Sequence, residues 1–185
     1  MGSRCFVAIP LPQAYQEMIP RIASTWKHRL RSRLTWTKAG NWHLTLSFLG
    51  DLPEDRVAEV QQALLAVSMP PLTLQAGGGG FFPPGKTPRV LWVGLRQGAE
   101  ECTTLAKKVE SVLVPLGFAP DSRPFRAHLT LARIKQSRAD DWGAVLKALQ
   151  ALSWPSISIT KFVLYASQLS PQGPVYTALQ TYTLS

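Results

Sequence analysis

The sequence predicts an α+β fold with two similar lobes, each an antiparallel sheet backed by helices, and a cleft between them. Helix-like and strand-like segments alternate too irregularly for a parallel α/β sheet. The order helix, histidine-containing strand, helix, strand occurs twice along the chain. One strand-like sequence also occurs twice, as HLTLSFL from His43 and as HLTLARI from His128. Two of the three histidines of the protein therefore begin the two copies, which suggests one site built from two halves.

Composition indicates a single folded unit with a basic surface. Of 185 residues, 45% are hydrophobic, which is enough for a sizeable core. Since no linker divides the chain, we treat residues 1–185 as one bilobal domain. Twenty Lys and Arg against 11 Asp and Glu give a net charge of +9. This charge favours a polyanionic partner such as nucleic acid or a phosphorylated metabolite, although a basic surface without a specific partner has the same composition.

The two cysteines, Cys5 and Cys102, are too few for a disulfide framework or a structural zinc site. The chain has no signal-peptide pattern at its start and no apolar run near the ~20 residues that span a bilayer. We therefore expect buried free thiols in a cytoplasmic protein that has no membrane contact and no obligate protein partner. Monomer is the expected state.

Hydrophobic periodicity predicts the elements of the N-terminal half in order. An apolar run ended by Pro10 predicts a buried strand, and a three- and four-residue spacing of apolar residues predicts a helix that Pro20 interrupts. Gly and Asn before His43 indicate a turn. The predicted strands are 5–9, 34–36, 42–49 and 72–76, and the predicted helices are 11–31 and 54–67.

The C-terminal half is predicted in the same way. Four glycines, Gly77 to Gly80, are not followed by the Lys-Ser/Thr of a phosphate-binding loop, so they indicate a flexible or bulged strand end. A loop is expected over 82–88, a connector over 117–126 and a turn over 171–174. The predicted strands are 90–95, 127–134, 157–166 and 175–184, and the predicted helices are 100–116 and 140–152.

Strand alternation gives each copy of the repeat a polar face. Side chains on a strand alternate between faces, so His43 shares a face with Thr45, and His128 shares one with Thr130. The leucines between them face the opposite way, toward a core. Residues two apart lie roughly 6–7 Å from each other, so that an imidazole and a hydroxyl can hold one anionic group between them.

Two histidines that flank one substrate can serve as an acid and a base. A protonated imidazole donates a proton to a leaving oxygen, and a neutral one accepts a proton from water. The unperturbed pKa of about 6.5 suits both tasks near neutral pH. The threonine hydroxyls can hold the non-bridging oxygens of a phosphate, so the repeat predicts a metal-free site for breaking a phosphoester. The residues alone do not assign which histidine is the acid.

HLTLSFLG and RPFRAHLTLARI resemble the paired motifs of the two-histidine phosphoesterase superfamily. Within it the chain most resembles the bacterial and archaeal RNA 2′,3′-cyclic phosphodiesterases, also named 2′-5′ RNA ligases. The first strand FVAIP, the Arg-Val-Leu-Trp of 89–92, the Leu-Tyr-x-Ser of 164–167 and the Gly-x-x-Tyr of 173–176 extend the resemblance over nearly the whole chain. The chain departs from the family at Arg126-Ala127, because the family usually has Pro directly before the second histidine.

The resemblance implies hydrolysis of 2′,3′-cyclic phosphate ends of RNA to a 2′-phosphate, without a metal or other cofactor. RNA ends or cyclic nucleotides are the implied partners. By this analogy His43 is the proton donor to the leaving 3′-oxygen, and His128 is the proton acceptor that activates water.

Three further residues are candidates for substrate binding. Arg133 stands where the family carries an arginine, and a guanidinium pairs well with phosphate oxygens. Phe48 could stack a base of single-stranded RNA, and Arg126 could add a phosphate contact. Strict alternation places Arg133 and Phe48 on the face opposite to the histidines, because each lies five residues after its histidine. A bulge or a curled side chain is needed to bring them into the site.

Two rival functions use the same features. One is reversible 2′-5′ RNA ligation at the same site, and the other is an RNA-binding module without turnover. Trp36, Trp42 and Tyr176 are expected in the core or the cleft wall, and His28 is expected on the surface. A zinc site is disfavoured, because two histidines without nearby Cys or carboxylate groups supply too few ligands.

Overall fold

Two four-stranded antiparallel sheets and one three-stranded sheet form the frame of the protein. The computed structural model describes residues 3–85, 87–171 and 173–185. The strands are β1 (Ser3–Pro10), β2 (Arg33–Trp36), β3 (His43–Leu52), β4 (Leu72–Ala76), β5 (Gly80–Phe82), β6 (Val90–Val93), β7 (Leu95–Gln97), β8 (Leu129–Gln136), β9 (Ile157–Ile159), β10 (Lys161–Ser170) and β11 (Gly173–Thr183). The helices are α1 (Gln13–Gln16), α2 (Met18–Trp26), α3 (Glu54–Leu64), α4 (Ala99–Leu113) and α5 (Trp142–Ala151), and a 3-10 turn follows α4 at Val114–Leu116.

Each four-stranded sheet holds one of the histidine strands. The first sheet has the strand order β11-β10-β1-β3, and the second has the order β2-β8-β6-β5. The small third sheet has the order β7-β4-β9. Both large sheets take strands from both halves of the chain, so the lobes are interwoven and do not follow one another along the sequence. The predicted α+β architecture with two antiparallel lobes is confirmed.

Helices cover the outer side of each large sheet. Helix α4 packs on β3 and α3 packs on α4, and the Tyr182 hydroxyl of β11 donates to the carbonyl of Gln61 in α3 at 3.1 Å. On the second sheet, the ring of Trp142 in α5 meets Phe81 of β5 with 5.1 Å between centroids.

The leucines of the repeat are buried as alternation predicts. Leu44, Leu46, Leu129 and Leu131 are each at most 6% exposed. Full burial of one such side chain contributes about 1.5–3 kcal/mol. The apolar faces therefore anchor both histidine strands and leave the histidine faces toward the cleft.

Several predicted elements are divided in the structure. The predicted helix 11–31 is two helices that meet at Glu17, and Pro20 lies in the first turn of α2, where its missing N–H removes no helical bond. The predicted strand 90–95 is divided between β6 and β7 at Gly94, and the strand 157–166 is divided between β9 and β10 at Thr160. The loop 82–88 includes Lys86 and the turn 171–174 includes Gln172, which lie outside the described residues.

The glycine run connects β4 to β5 and passes against Trp92. A Cβ atom on Gly80 would lie 2.3 Å from the Trp92 ring, and one on Gly79 would lie 2.8 Å from the Trp92 carbonyl oxygen. Glycine is therefore required here because the backbone approaches the indole closely.

Other expectations concern the surface and the thiols. Cys5 and Cys102 are free and buried, and His28 is exposed, as predicted. Among the described residues, no helix is long and apolar enough to cross a membrane.

Candidate active site

The two histidine strands contact each other, and hydrogen bonds join the segment that precedes the first strand to the second strand. The carbonyl of Thr130 in β8 accepts from the Trp42 indole N–H at 2.7 Å and from the Thr37 hydroxyl at 2.9 Å. The N–H of Thr37 donates to the carbonyl of Leu131 at 2.8 Å. The segment that leads into the first histidine strand is thus hydrogen-bonded to the second histidine strand.

A buried glutamine holds the turn before His43. The Gln16 amide nitrogen donates to the Trp42 carbonyl at 2.9 Å, and its oxygen accepts from the N–H groups of Gly40 and Trp42 at 2.9 and 3.2 Å. An amide that both donates and accepts satisfies the buried backbone groups of this turn. Gln16 therefore positions the start of β3.

Both histidine rings have the same hydrogen bond to the backbone. Nδ1 of His43 lies 2.8 Å from the carbonyl oxygen of Asn41, and Nδ1 of His128 lies 2.8 Å from that of Arg126. A carbonyl only accepts, so Nδ1 carries the hydrogen in each ring. In the neutral ring Nε2 is left with a lone pair. Each Nε2 can thus accept a proton, or donate one after the ring is protonated.

Equivalent β-bulges interrupt the alternation in both histidine strands. In the pairing of β1 with β3, Ala8 lies opposite Thr45 and Val7 lies opposite Ser47, so Leu46 is an extra residue. In the pairing of β6 with β8, Trp92 lies opposite Thr130 and Leu91 lies opposite Ala132, so Leu131 is extra. A bulge of one residue moves the following side chains to the other face. The strict alternation assumed from the sequence is therefore wrong beyond Thr45 and Thr130.

The bulges place Phe48 and Arg133 on the histidine faces. Phe48 lies opposite Phe6, which shares a strand face with Ala8, the partner of Thr45. Arg133 lies opposite Val90, two residues before Trp92, the partner of Thr130. Phe48 is 76% exposed, with its ring centroid 6.3 Å from that of Phe6.

The charge of Arg133 reaches the first sheet. Burial raises the pKa of Tyr176 in β11, and the positive charge of Arg133 partly offsets this rise. Arg133 on the second sheet and Tyr176 on the first are therefore close enough to interact across the cleft.

Aromatic rings surround both histidines. The His43 ring lies 4.8 Å from Phe6 and 5.3 Å from Tyr176, and Tyr165 is 6.4 Å away, measured between centroids. The His128 ring has Phe82 at 5.0 Å and Trp92 at 6.3 Å. The rings pack against the imidazoles and bury part of each one.

Burial lowers the pKa of both histidines. The pKa of His43 falls to about 4, because burial disfavours its charged form and outweighs the hydrogen bond to Asn41; the charge of His128 lowers it further. The pKa of His128 falls because of burial, and nearby Arg126 adds to the shift. The charge of His128 thus acts on His43, and the pKa of each imidazole lies below the unperturbed value that the sequence suggests.

The remaining candidates lie beside the histidines. Thr45 and Thr130 are half-buried, and within the described part of the chain neither hydroxyl has a hydrogen-bond partner. The Arg126 guanidinium is exposed and lies 5.6 Å from the centroid of the Trp92 ring. The structure therefore brings all seven predicted residues to the neighbourhood of the two imidazoles: His43, Thr45, Phe48, Arg126, His128, Thr130 and Arg133.

Sequence reasoning missed the aromatic rings that enclose the histidines. The sequence predicts only that Phe6 lies in a buried strand and that Phe82 lies in a loop. One signal for Phe6 is contained in the sequence, because alternation places Phe6 and Ala8 on the same face of the strand that ends at Pro10. Tyr176 lies in the cleft wall as expected, and Trp42 is 2% exposed in the core. No group of three or more His, Cys, Asp or Glu that could hold a metal ion occurs among residues 3–85, 87–171 and 173–185.

Comparison with known proteins shows a duplication within the chain. The model of the LigT like Phosphoesterase family matches the chain twice, over residues 9–92 and 93–176. The RNA 2′,3′-cyclic phosphodiesterase of Aquifex aeolicus is 32% identical over 98% of this chain and 97% of its own. That of Archaeoglobus fulgidus is 31% identical over 97% and 99%.

Solved structures share the fold at full length. Escherichia coli LigT complexed with 3′-AMP is 27% identical with a TM-score of 0.78, and the match covers 100% of this chain and 99% of LigT. TT0787 of Thermus thermophilus is 28% identical with a TM-score of 0.77, covering 98% and 97%. Each family match contains one of the two histidine strands. The chain therefore belongs to the family of LigT-like phosphoesterases.

Proposed function

We propose that the protein hydrolyses 2′,3′-cyclic phosphate ends of RNA to 2′-phosphates, with His43 and His128 as a metal-independent acid–base pair. The observation that carries the proposal is the symmetry of the two rings. In both rings Nδ1 is hydrogen-bonded to a backbone carbonyl at 2.8 Å, so that Nε2 is available to a substrate. The relatives named RNA 2′,3′-cyclic phosphodiesterase support the same reaction.

The reaction needs one proton transfer at each histidine. Water attacks phosphorus while Nε2 of His128 takes its proton, and the bond from phosphorus to the 3′-oxygen breaks. Nε2 of His43 donates a proton to that oxygen, so a free 3′-hydroxyl and a 2′-phosphate result. A second turnover requires the proton to pass from His128 back to His43 through solvent.

The other candidates would hold the phosphate and the base. The unpartnered hydroxyls of Thr45 and Thr130 suit the non-bridging oxygens. Arg133 would pair with the same negative charge, and Arg126 would contact it from the side of His128. The exposed Phe48 ring offers a stacking surface to the terminal base.

The proposal is tested with a 2′,3′-cyclic nucleotide in the presence of EDTA. Since both proton transfers are assigned to side chains, we expect full conversion to the 2′-phosphate at an unchanged rate. Product identity is checked by chromatography against the 2′- and 3′-phosphates. Loss of activity that added Mg²⁺ or Zn²⁺ restores would contradict metal independence, and RNA binding without any product would favour the binding-module alternative.

The pH dependence follows from the lowered pKa values. The active form has His43 protonated and His128 neutral, so kcat/KM falls at low pH when His128 gains a proton and at high pH when His43 loses one. Because kcat/KM reports the free enzyme, its maximum should lie below the ordinary histidine pKa of about 6.5. A bound phosphate anion favours the charged imidazoles and raises their pKa, so the maximum of kcat should lie at a higher pH. A kcat/KM that is constant from about pH 4 to about pH 8 would contradict this assignment.

A further inference from the structure

We propose that a strip of cations along β2 and β8 binds the RNA chain that leads up to the cyclic end. The strip comprises the cations Arg33, Arg133 and Lys135, with Thr35 beside Arg133. The identification of RNA as the ligand of this strip rests on the proposed function. The proposal goes beyond that function because it assigns the surface that leads away from the cleft, from Arg133 to Arg33 and Lys135, to the nucleotides that precede the end.

The register of the second sheet places the strip next to the cleft. Thr35 of β2 lies directly opposite Arg133 of β8. Residues opposite each other in an antiparallel pair point to the same face, and Arg133 shares the face of Thr130 through the bulge at Leu131. Arg33, two residues before Thr35, also points to this face and lies about 6–7 Å further along the strand.

A second bulge adds another cation. Arg33 lies opposite Gln136 and Leu34 lies opposite Ile134, so Lys135 is the extra residue of β8 at this point. Arg33 and Lys135 are exposed, whereas Leu34 and Ile134 between them point inward. Because β2 is the edge strand of the sheet, no further strand among the described residues covers this side of the strip.

The charges of the strip are not neutralised within the described structure. Neither Arg33 nor Lys135 takes part in a salt bridge there, and the two salt bridges found involve Arg56 and Arg123. Asp140, a carboxylate close to the start of β2, accepts from the backbone N–H groups of Arg31 and Ser32 at 2.7 and 2.8 Å and forms no salt bridge with Arg33 or Lys135 in the described residues.

A cavity of about 210 Å³ between α2 and β2 lies around the edge of β2 from the strip, and Arg33 belongs to both. Trp26 and Trp36 line it together with Lys27 and Arg33, which are the charged residues of its wall. Cations that follow a backbone and aromatic rings that stack bases are the combination used to bind single-stranded nucleic acid. The cavity therefore fits a base of the bound chain.

Acidic residues lie mainly on the other lobe. The helices α3 and α4, which cover the first sheet, carry Glu54, Asp55, Glu59, Glu100, Glu101 and Glu110. The surface of the second sheet thus attracts a polyanion while the helical side of the first sheet repels it. This asymmetry favours a path for RNA over β2 and β8.

The test compares binding of a 2′-phosphate-ended oligonucleotide with binding of the corresponding mononucleotide. The variant R33Q/K135Q removes two charges from the strip, and K107Q/K108Q removes two exposed lysines from α4. We expect R33Q/K135Q to weaken oligonucleotide binding about tenfold, as for two solvent-exposed charge contacts. Mononucleotide binding should stay unchanged in both variants.

The salt dependence adds a second readout. The slope of log K against log [salt] for the oligonucleotide should decrease by about 1.4 in R33Q/K135Q, since each contact with a single-stranded phosphate contributes about 0.7. Equal effects of R33Q/K135Q and K107Q/K108Q, or no effect of R33Q/K135Q, would overturn the strip. Failure of the proposed function would be seen separately, as the absence of mononucleotide hydrolysis by the unmodified protein.

Discussion

Replacement of His43 or His128 by alanine should each reduce kcat for a 2′,3′-cyclic nucleotide by about 10²- to 10⁴-fold, the contribution of a positioned general acid or base. Alanine offers no group that transfers a proton, and the hydrogen bond from Nδ1 disappears with the ring. The double variant should be little slower than the single ones, because residues that act as a unit are not additive.

The matched control is His28→Ala, which removes the exposed histidine of the chain. It should retain the kcat of the unmodified protein. Circular dichroism and the thermal midpoint of each variant establish that the fold is intact. Full activity of a folded His43→Ala or His128→Ala protein would contradict the assignment of both residues.

Replacement of Arg133 by glutamine should reduce kcat/KM by about 10- to 100-fold. The bulge at Leu131 turns this guanidinium toward the cleft, where it would meet a phosphate as a charged donor worth about 1.5–3 kcal/mol. Arg133→Lys should recover part of the loss, because an ammonium keeps the charge but not the two parallel N–H groups.

Arg21→Gln provides the same charge change on the exposed surface of α2. It should leave kcat/KM within about twofold at moderate salt, since exposed charges are screened beyond a Debye length of about 10 Å. If Arg133→Gln and Arg21→Gln had equal small effects, Arg133 would act only through net charge and would have no direct phosphate contact.

Alternation from the sequence is sufficient for the first half of each histidine strand. It pairs His43 with Thr45 and His128 with Thr130, and it buries the intervening leucines, as the structure has them. It fails one residue later, because Leu46 and Leu131 are bulged. A bulge depends on the pairing with the neighbouring strand, which a five-residue pattern does not contain. The sequence therefore left Phe48 and Arg133 in conflict with their expected roles.

The environment of the histidines was also beyond sequence reasoning. Phe6 and Tyr176 come from strands far apart in the chain, and only the order of the first sheet brings them to His43. Their burial of the ring lowers its pKa to about 4, whereas the sequence supports only the ordinary value. Desolvation is a tertiary property, so neither the optimum pH nor the protonation states of the two histidines could be predicted.

The reason for the glycine run, Gly77 to Gly80, also could not be predicted from the sequence alone. The four letters suggest flexibility, but at Gly79 and Gly80 glycine is required by the Trp92 ring and backbone. Trp92 in turn contacts His128 and faces Arg126. A sequence feature interpreted as a loose strand end thus contributes to the packing behind the second histidine.

The central claim is that the duplicated strand supplies one acid and one base to a single cleft. Its most direct test is the pH profile of single-turnover hydrolysis by His43→Ala and His128→Ala, measured at high enzyme concentration. His128→Ala should lose the decrease at low pH and keep the decrease at high pH, and His43→Ala should show the opposite. Profiles that keep both limbs in either variant would contradict the claim, because an intact limb requires its titrating histidine.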